Sequence, residues 1–120
     1  MRQGWIGVDF DGTLATYLGN HTIMGEPIMP MVNRVKHWLS KGQDVKIFTA
    51  RVSLKNATKN ELVRNAIQDW CMVHIGKRLD VVCVKDIHCI QLWDDKAIRV
   101  IRNTGYSEAE YKKHRQRRRV

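Results

Sequence analysis

The feature that most constrains the fold is the stretch of residues 5–14, in which a short apolar run meets two acidic residues. Residues 5–8 are apolar and lie between glycines, so they predict a short buried strand. Asp9 and Asp11 follow this strand two positions apart, and residues spaced by two in an extended chain point to the same side. Because two close carboxylates repel each other, a divalent cation or a shared proton is expected between them.

The rest of the chain alternates helix patterns with strand patterns. Apolar residues at helical spacing predict one helix that begins at Pro30 and a second near Thr58, where Thr58 and Glu61 have capping-box spacing. Three apolar runs predict strands, and a fourth, alternating run predicts an edge strand: residues 45–48, 79–84, 90–93 and 99–102. Ser107 is expected to cap a terminal helix that has acidic residues in its first turn.

This alternation predicts the fold class and the domain organisation. Strands that alternate with helices favour a single compact, Rossmann-like α/β domain with a parallel central sheet between helices. We expect residues 1–105 to form this core and residues 106–120 to form a basic C-terminal helix or tail. Ligands of such sheets bind beyond the carboxyl ends of the strands, where the strand order reverses. The polar clusters of this chain follow apolar strands and could therefore converge at one edge.

Composition restricts the class of protein. The chain has 120 residues, of which 43% are hydrophobic and 28% charged, and this composition is typical of a globular domain. No apolar run reaches the length of a membrane span, and the first strand follows the N-terminus directly. We therefore expect a cytoplasmic protein without membrane contact. Three cysteines without Cys-x-x-Cys spacing argue against a disulfide framework or a zinc site.

The net charge of +9 is concentrated at the C-terminus. Residues 112–120 hold six of the 21 Lys and Arg residues and no acidic residue, and the remainder has a formal charge of only +3. Such a basic end is either a solvated terminus or a segment that contacts the phosphates of nucleic acid. Both interpretations stay open at this point.

The acidic residues could form a magnesium site. Mg²⁺ prefers oxygen ligands in near-octahedral geometry and often keeps several waters. Asp9, the backbone carbonyl of Asp11 and one carboxylate from Asp94 or Asp95 could supply the ligands of the protein. The expected cofactor is therefore Mg²⁺, which can offset the repulsion between a carboxylate and a phosphate.

Polar residues that follow the predicted strands could bind an anion beside such a cation. Thr49 offers a hydroxyl and a backbone N–H, Lys85 offers a compact positive charge, and Arg51 is either a phosphate donor or a surface charge. The predicted substrate-binding residues share a position directly after the first or second strand: Gly12, Thr13, Ala50 and Arg51.

The motifs together resemble a known superfamily. The string Asp-Phe-Asp-Gly-Thr-Leu at residues 9–14 resembles the first motif of the haloacid dehalogenase superfamily of phosphatases and phosphotransferases. The second motif of that family is a Ser or Thr after the second strand, the third is a Lys, and the fourth is an acidic pair after a later strand. Thr49, Lys85 and the pair Asp94 and Asp95 match these motifs in order, so the resemblance covers residues 5–96.

The resemblance implies a role for each matching residue. Asp9 would be the nucleophile, and Asp11 would be the general acid and base. Thr49 and Lys85 would bind the transferred phosphate, although Lys77 competes with Lys85 for the role of the third motif. The second residue of the acidic pair, Asp95, would bind the metal directly, and Asp94 would hold a metal-bound water or the Lys85 ammonium.

The resemblance also implies an activity. No insertion long enough for a cap domain follows Leu14 or Arg51, so the chain looks like the small capless members found in phage genomes, and its location would then be the host cytoplasm. The expected function is Mg²⁺-dependent hydrolysis of a phosphomonoester, through an aspartyl-phosphate on Asp9. The alternatives are a polynucleotide 3′-phosphatase, which residues 49–51 and 94–96 resemble, and a nucleic-acid-binding protein with a vestigial site. The substrate is either a phosphorylated small molecule or a nucleic-acid end, and a homo-oligomer could replace the missing cap.

Overall fold

The computed structural model describes residues 3–118 and contains one parallel sheet of four strands. The strands in chain order are β1 (Trp5–Val8), β2 (Asp44–Phe48), β3 (Val81–Val82) and β4 (Cys89–Trp93). Their order across the sheet is β3-β2-β1-β4, so the chain first runs from β1 towards β3 and then returns to the other side of β1. The strand order therefore reverses at β1, which is the position where ligands bind in open sheets of this kind.

Three helices accompany the sheet: α1 (Met29–Ser40), α2 (Ala57–His74) and α3 (Glu108–Arg118). The predicted α/β fold with a parallel, helix-flanked sheet is confirmed, and residues 3–118 contain no cap domain. Helix α1 has Pro30 in its first turn, as predicted, and Gly42 follows its end with φ of +78°, a conformation that glycine adopts without strain. None of the helices in the described part of the chain is long and apolar enough to cross a membrane.

The start of α2 differs from the prediction. The N-cap is Asn56, whose side-chain oxygen accepts a hydrogen bond of 3.0 Å from the N–H of Lys59. The capping box predicted at Thr58 and Glu61 is therefore wrong, because Asn56 already satisfies a free N–H group of the first turn and places Thr58 inside the helix. The predicted terminal helix is confirmed: Ser107 Oγ accepts from the N–H of Glu110, and the Glu110 carboxylate accepts from the N–H of Ser107.

Two predicted strands are wrong in extent. Strand β3 contains only Val81 and Val82 instead of residues 79–84, because Leu79 lies in the core beside α2 while Val84 is 70% exposed beyond the sheet. The edge strand predicted at residues 99–102 is absent from the described sheet. Val100 forms only an isolated antiparallel bridge with Ser107, across a segment in which Asn103 and Gly105 have positive φ.

The hydrophobic core joins α1 and α2 to the sheet and also anchors the segment after β1. Ile6 and Val8 from β1 pack in one cluster with side chains of both helices. Phe10 and Leu14 are fully buried in the same cluster, and the ring of Phe10 makes an edge contact with Trp70 at 5.0 Å between centroids. Burial of Phe10 fixes the backbone between Asp9 and Asp11, so the core itself sets the position of the two carboxylates.

Candidate functional site

The carboxyl ends of three neighbouring strands build the candidate site. Asp9 follows β1, Thr49 follows β2, and the acidic pair follows β4, and β1 lies between the other two strands. The N–H of Asp9 donates a hydrogen bond of 2.8 Å to the carbonyl of Trp93, which extends the pairing of β1 and β4 up to the site. The predicted convergence of these segments at one edge of the sheet is therefore present.

Three carboxylates form a compact acidic cluster at this edge. Asp9, Asp94 and Asp95 each offer an oxygen atom, and these oxygens all lie within 4.8 Å of one another. The pKa of Asp9 is raised from 3.8 to about 7, first because burial disfavours the charged carboxylate, and then because of its hydrogen bond with Asp95 and the negative charges of both neighbours. The N–H of Phe10 acts in the opposite direction and favours the ionised form. The cluster therefore holds more negative charge than the protein neutralises.

Gly12 and Thr13 hold the segment after β1 against the segment after β4. Gly12 has φ of +83°, and a Cβ atom at this position would lie 2.9 Å from Oδ2 of Asp95. The hydroxyl oxygen of Thr13 accepts a hydrogen bond of 3.1 Å from the N–H of Asp95. The same hydroxyl lies 3.4 Å from a carboxylate oxygen of Asp9 and of Asp95. These two residues were predicted to bind substrate, and in the structure their contacts position the acidic cluster.

Arg51 forms a bidentate ion pair with the second carboxylate of the first motif. Its Nε and Nη2 donate to the two oxygens of Asp11, both at 2.7 Å. The guanidinium also donates to the carbonyls of His21 and Ile23, at 2.6 and 2.8 Å. These contacts use four of the five N–H groups of the guanidinium, and the side chain is only 5% exposed. The alternative of a surface charge is therefore wrong, and Arg51 chiefly holds Asp11 and the loop that contains His21.

The carboxylate of Asp11 consequently lies outside the acidic cluster of Asp9, Asp94 and Asp95. The sequence predicts a metal contact from the backbone carbonyl of Asp11 and not from this carboxylate, and that contact stays a prediction. His21 also approaches Asp11, with 3.8 Å between its Nδ1 and Oδ2 of the carboxylate. His21 lies on a surface loop after β1, and this loop reaches the edge of the site.

Thr49 and Ala50 lie at the site as predicted. Thr49 is buried, its N–H donates to the carbonyl of Val82, and its hydroxyl oxygen accepts from the N–H of Arg51 at 3.2 Å. A hydroxyl that accepts one hydrogen bond retains its own proton for donation. Ala50 begins the short 3₁₀ turn of residues Ala50–Val52, and both Thr49 and Ala50 line the cleft described below.

The structure does not bring Lys85 into this site. Strand β3 lies at the far edge of the sheet and ends at Val82, so Lys85 follows on an exposed connection towards the start of β4. There its positive charge lowers the pKa of the Cys89 thiol, which burial raises by a larger amount. Two cationic residues line the cleft: Arg51, which is paired with Asp11, and Lys96, whose backbone N–H donates to the carboxylate of Asp94 at 2.8 Å. Lys96 directly follows the acidic pair in the sequence, and this adjacency could have predicted that it lies at the site.

A cleft of about 760 Å³ opens beside the acidic cluster. Polar residues from the strand ends and from the loop after β1 line part of it, and the rest of its wall is apolar. The polar lining residues are Asp9, Asp11, His21, Thr22, Thr49, Arg51, Asp94 and Lys96. This volume is in the range of pockets that bind small organic molecules. A carboxylate, a hydroxyl and an ammonium group that converge at one end can bind a metal ion together with an anion.

Comparison with known proteins establishes the fold and leaves the family open. The fold and the site define an α/β domain with a parallel sheet and an acidic cluster at its switch point. No protein-family model matches the chain, and a search of curated proteins found no match. A solved structure described as the conserved protein coded by a locus from Bacteroides thetaiotaomicron is similar, with a TM-score of 0.59 and 16% identity over 99% of this chain and 93% of that one. At this identity the likeness shows a shared fold only.

Proposed function

We propose that this chain is a Mg²⁺-dependent phosphomonoester hydrolase of the haloacid dehalogenase type, which acts in the cytoplasm through an aspartyl-phosphate on Asp9. The observation that carries the proposal is the cluster of Asp9, Asp94 and Asp95 at the switch point of the sheet, beside a cleft that also contains Thr49 and Lys96. The string of residues 9–14 that resembles the first motif of that superfamily supplies two carboxylates of this site.

The donor set fits a divalent cation. The three carboxylates supply hard oxygen ligands. The pKa of Asp9 is raised first by burial and then by Asp95 and Asp94, and a cation would stabilise the ionised carboxylate against both effects. Asp9 and Asp95 would hold the ion directly, together with the backbone carbonyl of Asp11, and Asp94 would hold one of its waters. A bound Mg²⁺ would neutralise charge on the phosphoryl oxygens and lower their repulsion from Asp9.

The residues of the chain would then perform two displacements. In the first, an oxygen of Asp9 forms a bond to phosphorus, the bond to the leaving oxygen breaks, and Asp11 gives its proton to that oxygen. In the second, Asp11 accepts a proton from water, the water oxygen bonds to phosphorus, and the bond between Asp9 and phosphorus breaks. Thr49 and Lys96 would hold the phosphoryl oxygens during both steps.

The ion pair of Asp11 and Arg51 favours the second step and opposes the first. A carboxylate that accepts two hydrogen bonds from Arg51 is oriented to take a proton from water in the second step. In the first step Asp11 must carry a proton, so its pairing with Arg51 has to loosen before the leaving oxygen departs. Arg51 therefore acts as a positioning residue for Asp11 in this proposal.

The test is the substitution Asp9→Asn, with Asp44→Asn as a matched control. Asn keeps the shape of the side chain but removes the charge that attacks phosphorus, so turnover of a phosphomonoester in Mg²⁺ should fall by at least ~10³-fold. Asp44 begins β2 at the opposite edge of the sheet and is exposed, so its substitution should leave turnover unchanged. Near-normal activity of Asp9→Asn would exclude the covalent mechanism.

A second candidate involves nucleic acid, and one observation favours it. Helix α3 presents four exposed basic side chains, which are Lys112, Lys113, Arg115 and Arg117. These could hold a nucleic-acid backbone, either to deliver a 3′-phosphate end to Asp9 or for binding alone with a vestigial phosphatase site. Turnover that requires both Mg²⁺ and Asp9 separates an enzyme from a binding protein.

A further inference from the structure

The cleft continues well beyond the space that a phosphate needs. One water takes about 30 Å³ in the liquid, so a phosphoryl group would leave most of the 760 Å³ unfilled. Large apolar residues of the wall come from the loop before α1, the end of β2, the segment before α2 and α2 itself: Met24, Phe48, Leu54, Leu62, Val63 and, with a smaller side chain, Ala66. The candidate site therefore has a polar end beside the carboxylates and an apolar end beside α2.

The apolar end exposes large side chains that a packed core would cover. Leu54 is 53% exposed and Leu62 is 66% exposed, although both border the cleft. Leu62 and Ala66 are four residues apart on α2, so they present one continuous strip towards the cleft. Exposed apolar surface that is continuous with a polar site is typical of a ligand-binding pocket.

The opposite wall of the cleft is held in place before any ligand binds. Arg51 donates to the carbonyls of His21 and Ile23, and this fixes the loop that leads directly to Met24. Because Arg51 is itself buried and paired with Asp11, the loop is tied to the catalytic end of the site. This part of the wall is therefore pre-formed, which lowers the ordering cost of binding.

We infer that the substrate is a phosphomonoester whose alcohol part is an apolar group of at least the size of a phenyl ring, bound between Met24 and Leu62. This inference rests on the proposed function and names the substrate class of that site. The six side chains of the apolar end carry no hydrogen-bonding group except the weak acceptor sulfur of Met24. His21 and Thr22 line the cleft outside this group of six. A sugar or a nucleobase placed against the six apolar side chains would lose hydrogen bonds to water without replacement, and this loss disfavours nucleotides and sugar phosphates in that position.

The first experiment compares two primary alkyl phosphates in Mg²⁺, 2-phenylethyl phosphate and glycerol 3-phosphate. Both have primary alcohols as leaving groups, so a difference in kcat/KM reports chiefly how the alcohol part is bound. We expect kcat/KM to be at least about tenfold higher for 2-phenylethyl phosphate, because the phenyl ring leaves water on binding. Equal or higher kcat/KM for glycerol 3-phosphate, with turnover that still requires Asp9, would overturn this inference and leave the proposed phosphatase intact.

A pair of variants tests the location of the apolar group. Leu62→Ser should lower the ratio of the two kcat/KM values about three- to tenfold, because it removes apolar surface from the cleft. Val73→Ser is the matched control, since Val73 is 76% exposed on the same helix and does not line the cleft. That variant should leave the ratio unchanged. A ratio that is insensitive to Leu62→Ser, or equally sensitive to both variants, would refute the assigned location.

A binding measurement keeps the inference testable if no turnover is observed. The phosphonate 3-phenylpropylphosphonate has the shape of 2-phenylethyl phosphate but cannot be hydrolysed, and methylphosphonate lacks the apolar part. By calorimetry in Mg²⁺, we expect the first to bind at least about tenfold more tightly than the second, and Leu62→Ser to reduce that difference. Tight binding without turnover would refute the hydrolase and support the pocket, whereas equal binding of both phosphonates would refute the pocket.

Discussion

Removal of the negative charge of Asp9 should abolish activity and yet stabilise the metal-free protein. The pKa of Asp9 is raised to about 7, mainly by burial and then by Asp95 and Asp94, so the ionised carboxylate is destabilised in the folded state. An unfolded chain has no such penalty and ionises this group near 3.8. The substitution Asp9→Asn removes the charge and retains a group that can donate a hydrogen bond to Asp95, so the folded state should gain free energy.

The magnitude follows from linkage between protonation and folding. A rise in pKa from 3.8 to about 7 would correspond to about 4 kcal/mol of destabilisation at pH 8 if nothing screened the charge. Asp9 is only partly buried, so water and salt reduce this value, and we expect about 1–2 kcal/mol. For a domain of this size a change of 1 kcal/mol moves Tm by about 4 °C. Asp9→Asn should therefore raise Tm by about 4–8 °C at pH 8 in the presence of a chelator.

The sign of the pH dependence is fixed by the direction of the shift. Between pH 3.8 and pH 7 the folded state keeps a proton on Asp9 that the unfolded chain releases, so the free energy of unfolding falls as pH rises through this window. Above about pH 7 both states are ionised and the penalty is constant. The stabilisation by Asp9→Asn should accordingly shrink at pH 4.5 to less than half of its value at pH 8.

The assay is thermal unfolding of wild type and Asp9→Asn at pH 4.5 and pH 8, with EDTA and again with Mg²⁺. The matched control is Asp44→Asn, at an exposed position remote from the cluster, which should shift Tm little at either pH. With Mg²⁺ the order should reverse or converge, because wild type binds the ion more tightly and gains more stability by mass action. A variant that is less stable than wild type at pH 8 in EDTA would refute the argument that Asp9 carries uncompensated charge.

Three further predictions concern the metal, the ion pair and the basic end. Mg²⁺ should raise Tm of wild type, and Asp95→Asn should reduce this shift more than Asp94→Asn does; an equal shift in wild type and Asp95→Asn would place the metal elsewhere. Arg51→Lys keeps the charge but loses the bidentate contact with Asp11, so kcat should fall about 10- to 100-fold, and an unchanged kcat would exclude a positioning role. If the basic end binds nucleic acid, a plot of the logarithm of affinity against the logarithm of salt concentration should have a slope of roughly −3 to −5. Deletion of residues 112–120 should then abolish binding while small-molecule hydrolysis continues. Absence of salt-dependent binding in wild type would refute the nucleic-acid interpretations.

The fold and the acidic part of the site could be predicted because their signals are local. The strand of residues 5–8 is a continuous apolar run, and the acidic residues that follow it must lie at its carboxyl end whatever the rest of the chain does. The same holds for Asp94 and Asp95 after β4. Parallel strands place their carboxyl ends at one edge of the sheet, so these carboxylates lie at the same edge if the sheet is parallel. The alternation of helices and strands in the sequence already indicated a parallel sheet.

The position of Lys85 could not be predicted from the same signals. It follows an apolar run as Thr49 and Asp94 do, but the run ends at the far edge of the sheet, with β2 between β3 and β1. The order of strands is a property of the whole chain, and no local pattern in residues 79–86 specifies it. Lys96 could have been predicted as the lysine at the site, because it directly follows the acidic pair in the chain. Its distance from that pair does not depend on the order of the strands.

The role of Arg51 could not be predicted from the sequence for a different reason. Whether it binds phosphate or lies on the surface depends on which hydrogen-bond acceptors surround its guanidinium in the fold. The sequence places an arginine near the end of β2 and leaves open whether its guanidinium contacts a phosphate or a carboxylate. In the structure Asp11 and two loop carbonyls supply acceptors in the plane of the guanidinium, and none of these lies near Arg51 in the sequence. A buried guanidinium with four hydrogen bonds has one N–H group left for an anionic substrate, so the proposed phosphate binding relies on Thr49 and Lys96 instead. These contacts support the proposed positioning role of Arg51, because one side chain holds both the carboxylate of Asp11 and the loop that leads to Met24.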